Sequence, residues 1–536
     1  MSTAPTLFAD RRGPRDWIYP AIVAAGVLLP TLLSLWFPPR LGNDAATLLF
    51  SWNHLVRTGE LCRLPVLDTA NIAHATSIPL TWWSPGPIWV IGALSRFGLN
   101  LGQAISLCVG LAGWTQLAGW RRLYRELGFS SAIASASLIL MAASWHTLYS
   151  FRNFLGGEVF AAALLPWLAL LLRATANAGF AKVFVSFTAA VLIGVFFKLS
   201  FLLSAAGLAA GAWLAASATG IRRDNTRPAL TYGLALGAAL LAAWAVAHVA
   251  LLSQGASPAD SSPVTFSVAD MIRRALLPLV LPFSSLVAFT SSGAKLCDAL
   301  GIAHLSANTT LVVVAAALAV LLHIALWRRA PSRAARAFVA GVSAVTLAGF
   351  AFLYLRGAAV GFEDRLFVPC GWFLLPGLLA LGWETKGAVA RIVVGTFVAF
   401  SLAWGIGSYV FRVRELALLR NTSARGYSLT SLPATVEQAV RQADQAISGG
   451  DALFLSPKLE CLLAVEHHRA VKLPNGETTL SGRPRGGLVV VLPPELPAPV
   501  QLARFAEYPP EAWQVRSVAQ WKICIAADSR PPSSPQ

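Results

Sequence analysis

Asp44, in Arg40-Leu41-Gly42-Asn43-Asp44, follows directly on a long apolar run and opens the helix-like segment Ala45 to Arg57. A carboxylate at a membrane face is costly unless it is paired or does chemistry, so Asp44 is a candidate general base as well as a candidate helix cap. Cations that could complement it are Arg152, in Phe151-Arg152-Asn153-Phe154; Lys198, inside the apolar stretch Val183 to Ala216; and Arg365, in Glu363-Asp364-Arg365. Glu158 adds a second carboxylate six residues after Arg152. A carboxylate that accepts a proton, with guanidinium or ammonium groups to hold a departing phosphate, is equipment for transfer from an activated phosphate ester. His54, His74, Arg356, Glu363 and Asp364 complete the set. Each also has a plainer role, as a solvated loop residue, a headgroup contact or, for Lys198, a snorkelling lysine at a hairpin turn. The set gains meaning only if the elements that carry it converge.

Those elements are membrane spans. The 536 residues are 56% hydrophobic and 12% charged, with a mean hydropathy of +0.62, which leaves too little polar surface for a soluble globule. The net charge of +17 comes largely from short arginine clusters between apolar runs, where it marks topology; no nucleic-acid motif accompanies it. Six cysteines form no CxxC or Cys/His pattern, so neither a zinc nor a redox centre is indicated.

Residues 1–16 form a cytoplasmic N-terminus before an uncleaved first span, Trp17 to Phe37. Residues 38–100 make a large outer segment holding an amphipathic stretch, Ala45 to Val56, and a second in-plane helix, Ile88 to Leu94. Leu101 to Trp120, Ser130 to Ser150 and Val159 to Leu172 then alternate in direction between basic clusters. Val183 to Ala216 is too long for one helix, and a hairpin with Lys198 at its outer turn divides it. Ala229 to Leu252 leads to a second outer segment, 253–307, in which four prolines and Arg273-Arg274 argue for an interfacial or re-entrant piece over 268–288 more than for a span, with a further pair of helices as the alternative. Thr309 to Trp327, Phe338 to Leu355, Leu366 to Trp383 and Ile392 to Phe411 bring the total to about eleven spans. Positive-inside sorting puts every residue of the chemical set on the outer face.

Residues 412–528 change character. Short apolar runs at Ala452 to Leu455, Leu488 to Leu492 and Trp521 to Ala526, with an amphipathic stretch from Ala434 to Ile447, read as a small α/β domain outside the membrane. Cys461 and Cys524 are candidates for a disulfide in that oxidising compartment. Residues 529–536, rich in Pro and Ser, read as a disordered tail.

The order of these features resembles the GT-C superfamily of integral membrane glycosyltransferases, in particular the bacterial branch related to protein O-mannosyltransferases and the lipid A aminoarabinose transferase. Gly42-Asn43-Asp44 matches the acidic start of the first outer loop, and Trp83-Ser84-Pro85-Gly86-Pro87-Ile88-Trp89 the proline motif before a juxtamembrane helix. Arg152 and Glu158 match the second acidic site, Lys198 the lysine between the fifth and sixth spans, and Asp364-Arg365-Leu366-Phe367-Val368-Pro369 the entry to a late span. The first loop carries one carboxylate where an acidic pair is usual, and Glu158 stands where Asp is common.

The resemblance implies a polytopic helical enzyme of the bacterial inner membrane. It would transfer a sugar from a polyprenyl-phosphate donor to a lipid, glycan or protein acceptor on the extracytoplasmic face, by inverting displacement. It assigns Asp44 as base, with Glu158 as a second catalytic carboxylate. Arg152, Lys198 and Arg365 would be ligands of the donor phosphate, and His54, His74, Glu363 and Asp364 would face the acceptor or the cavity. A divalent cation, Mg or Mn, would sit on Asp44 and Glu158. Two other classes compete: a transporter of a lipid-linked or anionic substrate, and a non-catalytic assembly factor. Charges gathered at one face and the lack of an evident internal repeat weigh against transport.

Overall fold

The computed structural model describes residues 18–60, 63–80, 83–222, 227–251, 266–288, 308–358, 361–384, 387–419, 421–429, 432–447, 451–474 and 476–526. The N-terminal 1–16, Ser257 to Ser262 and the tail 529–536 lie outside these residues. The helices begin with α1 Ile18–Trp36, α2 Asn43–Thr58, α3 Gly86–Arg96, α4 Leu101–Glu126, α5 Ser131–Ala143, α6 Trp145–Ser150 and α7 Glu158–Thr175. They continue through α8 Phe180–Phe197, α9 Phe201–Arg222, α10 Arg227–Ala250, α11 Val268–Val287, α12 Thr309–Arg329, α13 Arg333–Leu355, α14 Val368–Glu384 and α15 Ala388–Leu419.

Nine of the helical stretches among the described residues are long and apolar enough to cross a membrane, with α5 and α6 taken as one. The protein is an integral membrane protein. Two of the eleven expected spans fall short of that standard. Helix α4 is long but carries Gln103, Gln116, Arg121 and Arg122, and α14 has 17 residues. The expected interfacial piece over 268–288 is one continuous helix, α11, capped by Ser267, whose hydroxyl accepts from Asp270 N at 3.1 Å. It packs against α12, α13 and α14 in spite of Pro278 and Pro282.

Local sequence sets the breaks that matter for the site. Ser144 is extended (φ −65°, ψ 149°) and its Oγ caps α6, accepting from Thr147 N at 3.2 Å, so the expected third span is broken in two. Helix α8 ends at Phe197, and extended Lys198 (φ −157°, ψ 119°) forms its C-cap before α9 starts at Phe201. Two short strands, β1 Arg40–Leu41 and β4 Asn153–Phe154, pair in parallel, Arg40 opposite Asn153 and Leu41 opposite Phe154. Strands β2 Arg63–Leu67 and β3 Ala75–Pro79 make a separate hairpin in segment 38–100.

The C-terminal α/β domain contains helix α16 Ala434–Ala446 and strands β5 Leu453–Ser456, β6 Arg469–Lys472, β7 Leu488–Leu492, β8 Trp513–Val518 and β9 Trp521–Ala526. They form one sheet in the order β6-β5-β7-β9-β8, parallel across the first three strands. Successive side chains of a strand point to opposite faces. Val489, Val491 and Ile523 therefore pack with Cys461 in a core continuous with the helical bundle, while Leu488, Val490 and Trp513 pack with Cys524 on the other face. The expected disulfide is not formed. Both cysteines are free and buried with the sheet between them, and a disulfide needs its two Cβ atoms within about 4.5 Å.

This domain is docked on segment 38–100. Arg425 Nη1 donates to Asn53 Oδ1 at 3.1 Å, Arg469 Nη1 to Ala73 O at 3.1 Å, and Ser428 N to Pro39 O at 3.2 Å. The start of α4 touches it too: Gly102 N donates to Arg425 O, and a Cβ on Gly102 would lie 1.7 Å from Gly426 O.

Candidate active site

Three backbone junctions converge. At the first, Gly42 N donates to Phe154 O at 2.8 Å, extending the β1–β4 pairing and bringing the start of α2, which carries Asp44, beside the loop that leads to Glu158. At the second, Gly157 abuts the end of α8, where a Cβ would stand 1.9 Å from Phe197 O; this close approach sets Glu158, the first residue of α7, against Lys198. The third is a 3₁₀ turn, Asp364–Leu366, that carries Arg365. Its Asp364 is 2% exposed and accepts from Ser284 Oγ, which fastens the turn to α11.

The charged groups meet across these junctions. Glu158 Oε1 accepts from Lys198 Nζ at 2.7 Å and from Arg365 Nη1 at 3.2 Å. Arg365 Nη2 lies 3.8 Å from Asp44 Oδ2, and Arg365 Nε donates to Glu363. Burial works against the Arg365 charge, but Glu158, Glu363 and Asp44 outweigh it and raise the guanidinium pKa, so Arg365 remains a cation. The second oxygen of Glu158, Oε2, is buried with no hydrogen-bond partner.

Glu158, Lys198, Glu363, Asp364 and Arg365 line a cavity of about 360 Å³ whose walls are otherwise largely apolar, including Val109, Phe151, Phe154, Leu165, Phe201 and Phe350. Asp44 is not among the lining residues and reaches the cluster through Arg365. Ionic groups on one side of an apolar cavity suit an amphiphile with an anionic end.

Three expected site residues are elsewhere. Arg152 is 5% exposed; its Nη1 donates to Ser408 O at 2.7 Å and its guanidinium lies over the Tyr149 ring, 4.8 Å from the centroid, so it is turned toward α15 and away from Glu158. His54 sits on α2 with Nε2 at 2.9 Å from Glu60 Oε2. His74 is exposed beside Asp68, Nδ1 to Oδ2 3.4 Å, in the β2–β3 loop. Neither histidine lines the cavity. Sequence reasoning missed Trp145, His146 and Tyr149, which α6 presents to the cavity. Their only signal was a cluster of polar and aromatic residues at the end of an otherwise apolar run.

The expected metal pair, Asp44 and Glu158, is bridged by a protein cation. Arg365 contacts both Asp44 and Glu158, so a fixed cation already holds the place between them. Among the described residues no group of three or more His, Cys, Asp or Glu side chains is arranged to bind an ion.

No protein-family model matches the sequence, and no curated protein sequence matches it. Solved structures do. ArnT from Cupriavidus metallidurans, solved bound to undecaprenyl phosphate, is 14% identical and superimposes with a TM-score of 0.52, covering 98% of this chain and 100% of ArnT. The arabinofuranosyltransferase AftD from Mycobacteria is 15% identical with a TM-score of 0.48, covering 96% of this chain and 42% of AftD. The match to ArnT runs over nearly the whole of both chains, and this protein has the fold of ArnT.

Proposed function

We propose that this protein is a membrane glycosyltransferase of the bacterial inner membrane that moves a sugar from a polyprenyl-phosphate donor to an acceptor hydroxyl on the extracytoplasmic face. The observation that carries this reading is the convergence of Lys198 and Arg365 on Glu158 at the wall of an apolar cavity. Two cations beside an apolar space suit a lipid phosphate. The undecaprenyl phosphate bound by ArnT, a protein of the same fold, is a ligand of that chemistry.

In this reading Asp44 accepts the acceptor's hydroxyl proton while that oxygen attacks the anomeric carbon. The bond from that carbon to the phosphate oxygen breaks, and its electron pair leaves on the phosphate. Lys198 and Arg365 stabilise the charge that develops there. Glu158 holds the two cations in place, and base catalysis by Asp44 contributes about 10²- to 10⁴-fold in rate. In this reading Lys198 and Arg365 supply the positive charge beside the phosphate, and the chelator arm of the test asks whether a metal adds to it.

The test follows radiolabelled polyprenyl-phosphate sugars in membranes containing wild-type or Asp44→Asn protein, with and without a chelator. Wild type moves label to a new product, Asp44→Asn does not, and the chelator changes neither. If wild type moves no label across a panel of donors, the catalytic reading fails.

A further inference from the structure

A second cluster of cations lies outside the catalytic cavity. Arg40, Arg152 and Arg412 line one small crevice together with a single carboxylate, Glu415. Parallel pairing of β1 with β4, and the bond from Arg40 N to Arg152 O at 3.0 Å, fix the first two arginines side by side; α15 supplies the third. Tyr149 borders both this crevice and the cavity, so its ring forms part of the partition between them.

The cluster is under-neutralised. Glu415 pairs with Arg412, whereas Arg40 and Arg152 have no ion pair among the described residues. Arg152 is 5% exposed, yet its Nε has no hydrogen-bond partner. Burial, with repulsion from Arg412 and Arg40, outweighs the opposing effect of Tyr149 and pushes its pKa down to about 10. Crowding guanidinium groups at a partly buried position is unfavourable unless an anion completes it. Arg152 Nη1 is taken by Ser408 O and Arg412 Nη1 by Glu415, so a phosphate would meet the remaining guanidinium N–H groups together with those of Arg40, donors well suited to its oxygens.

The length of α15 indicates where such an anion would come from. The helix has 32 residues, and about 20 suffice to cross the hydrocarbon. Arg412 lies 24 residues after Ala388, about 36 Å along the axis at 1.5 Å per residue, which is near the level where lipid phosphates lie.

We infer that Arg40, Arg152 and Arg412 form an oxyanion-binding site, separate from the catalytic cavity, for a phosphate group carried by a lipid headgroup or free in solution. The inference stands without the transferase reading, since none of the three arginines touches Glu158, Lys198 or Asp44.

The test is native mass spectrometry of the full chain released from detergent, with phosphatidic acid, phosphatidylcholine or inorganic phosphate as the probe. Wild type retains phosphatidic acid in preference to phosphatidylcholine, and the double variant Arg40→Gln/Arg412→Gln weakens that retention about tenfold or more. Arg40→Lys/Arg412→Lys keeps the charge without the fork and falls between the two, which separates lost binding from lost folding. The double variant causes the same fold loss of retention when it is made in an Arg365→Gln background, which removes a cation from the catalytic cavity, so the loss is not that of lipid held there. If inorganic phosphate binds in a manner sensitive to the double variant and the lipid does not, the site holds and its ligand is free phosphate. Equal retention of every probe by wild type and the double variant overturns the inference.

Discussion

Asp44 and Glu158 share one guanidinium on unequal terms. Glu158 is clamped by two cations at 2.7 and 3.2 Å, whereas Asp44 stands 3.8 Å from one. Glu158, whose Oε1 takes both cations, positions them, while Asp44, held only loosely by one, is the carboxylate whose charge is least committed and most open to an incoming proton. Asp44→Asn therefore lowers kcat by about 10²- to 10⁴-fold with little change in thermal stability. Glu158→Gln also destabilises the fold, because it leaves two half-buried cations short of their common partner. Initial rates with labelled donor, paired with thermal melting, separate the two; equal melting points for both variants would contradict the assignment. Glu363 is the most exposed carboxylate on Arg365, at 47%, and a donor phosphate competes with it for the same guanidinium. Glu363→Gln accordingly lowers the donor KM several-fold, whereas a raised KM would make Glu363 a residue that orients Arg365. The sequence marked Lys198, Glu158 and Arg365 but gave no means of ranking Arg152 below them, since residue type does not reveal which way an arginine is turned.

At the scale of elements, the site depends on two glycines and one two-residue strand pair. A Cβ at Gly157 would lie 1.9 Å from Phe197 O, so Gly157→Ala must push the start of α7 away from the end of α8 and lengthen the Glu158–Lys198 contact. We expect a loss of about 1–3 kcal/mol, the usual range for overpacking, seen as a lower melting temperature together with slower transfer. A parallel change, Gly102→Ala, meets Gly426 O at 1.7 Å and loosens the docking of the C-terminal domain, which limited proteolysis within 421–447 would register while the Glu158–Lys198 pair is untouched. The sequence marked α2 and α16 through their amphipathic pattern, and α3 through the tryptophans and prolines that precede it. It did not mark β1 and β4, because two residues carry no period, and their pairing joins positions more than 100 apart.

At the scale of the whole molecule, one core runs from the helical bundle into one face of the C-terminal sheet, and the opposite face packs separately. The two cysteines report this division. Burial pushes the Cys461 thiol up to about 12 and the Cys524 thiol up to about 11, so neither is appreciably ionised at pH 8. Peptide mapping after iodoacetamide treatment at that pH should find both unmodified in the folded protein and both alkylated in denaturant without reductant. A need for reductant would instead establish the disulfide.

What the sequence determined by itself was whatever local burial patterns encode. These include the integral membrane class, the division of Val183 to Ala216 at Lys198, and the strands Leu488–Leu492 and Trp521–Ala526. Hydropathy and strand alternation are written along the chain, because each residue's environment is set mainly by its neighbours within a few turns. Tertiary structure alone decided which charges meet. Arg365 reaches Glu158 across 207 positions and Lys198 reaches it across 40, while Arg152, only six residues from Glu158, faces Ser408. Those pairings rest on backbone junctions at Gly42, Gly157 and the Asp364–Leu366 turn, where close approach rather than composition fixes the geometry.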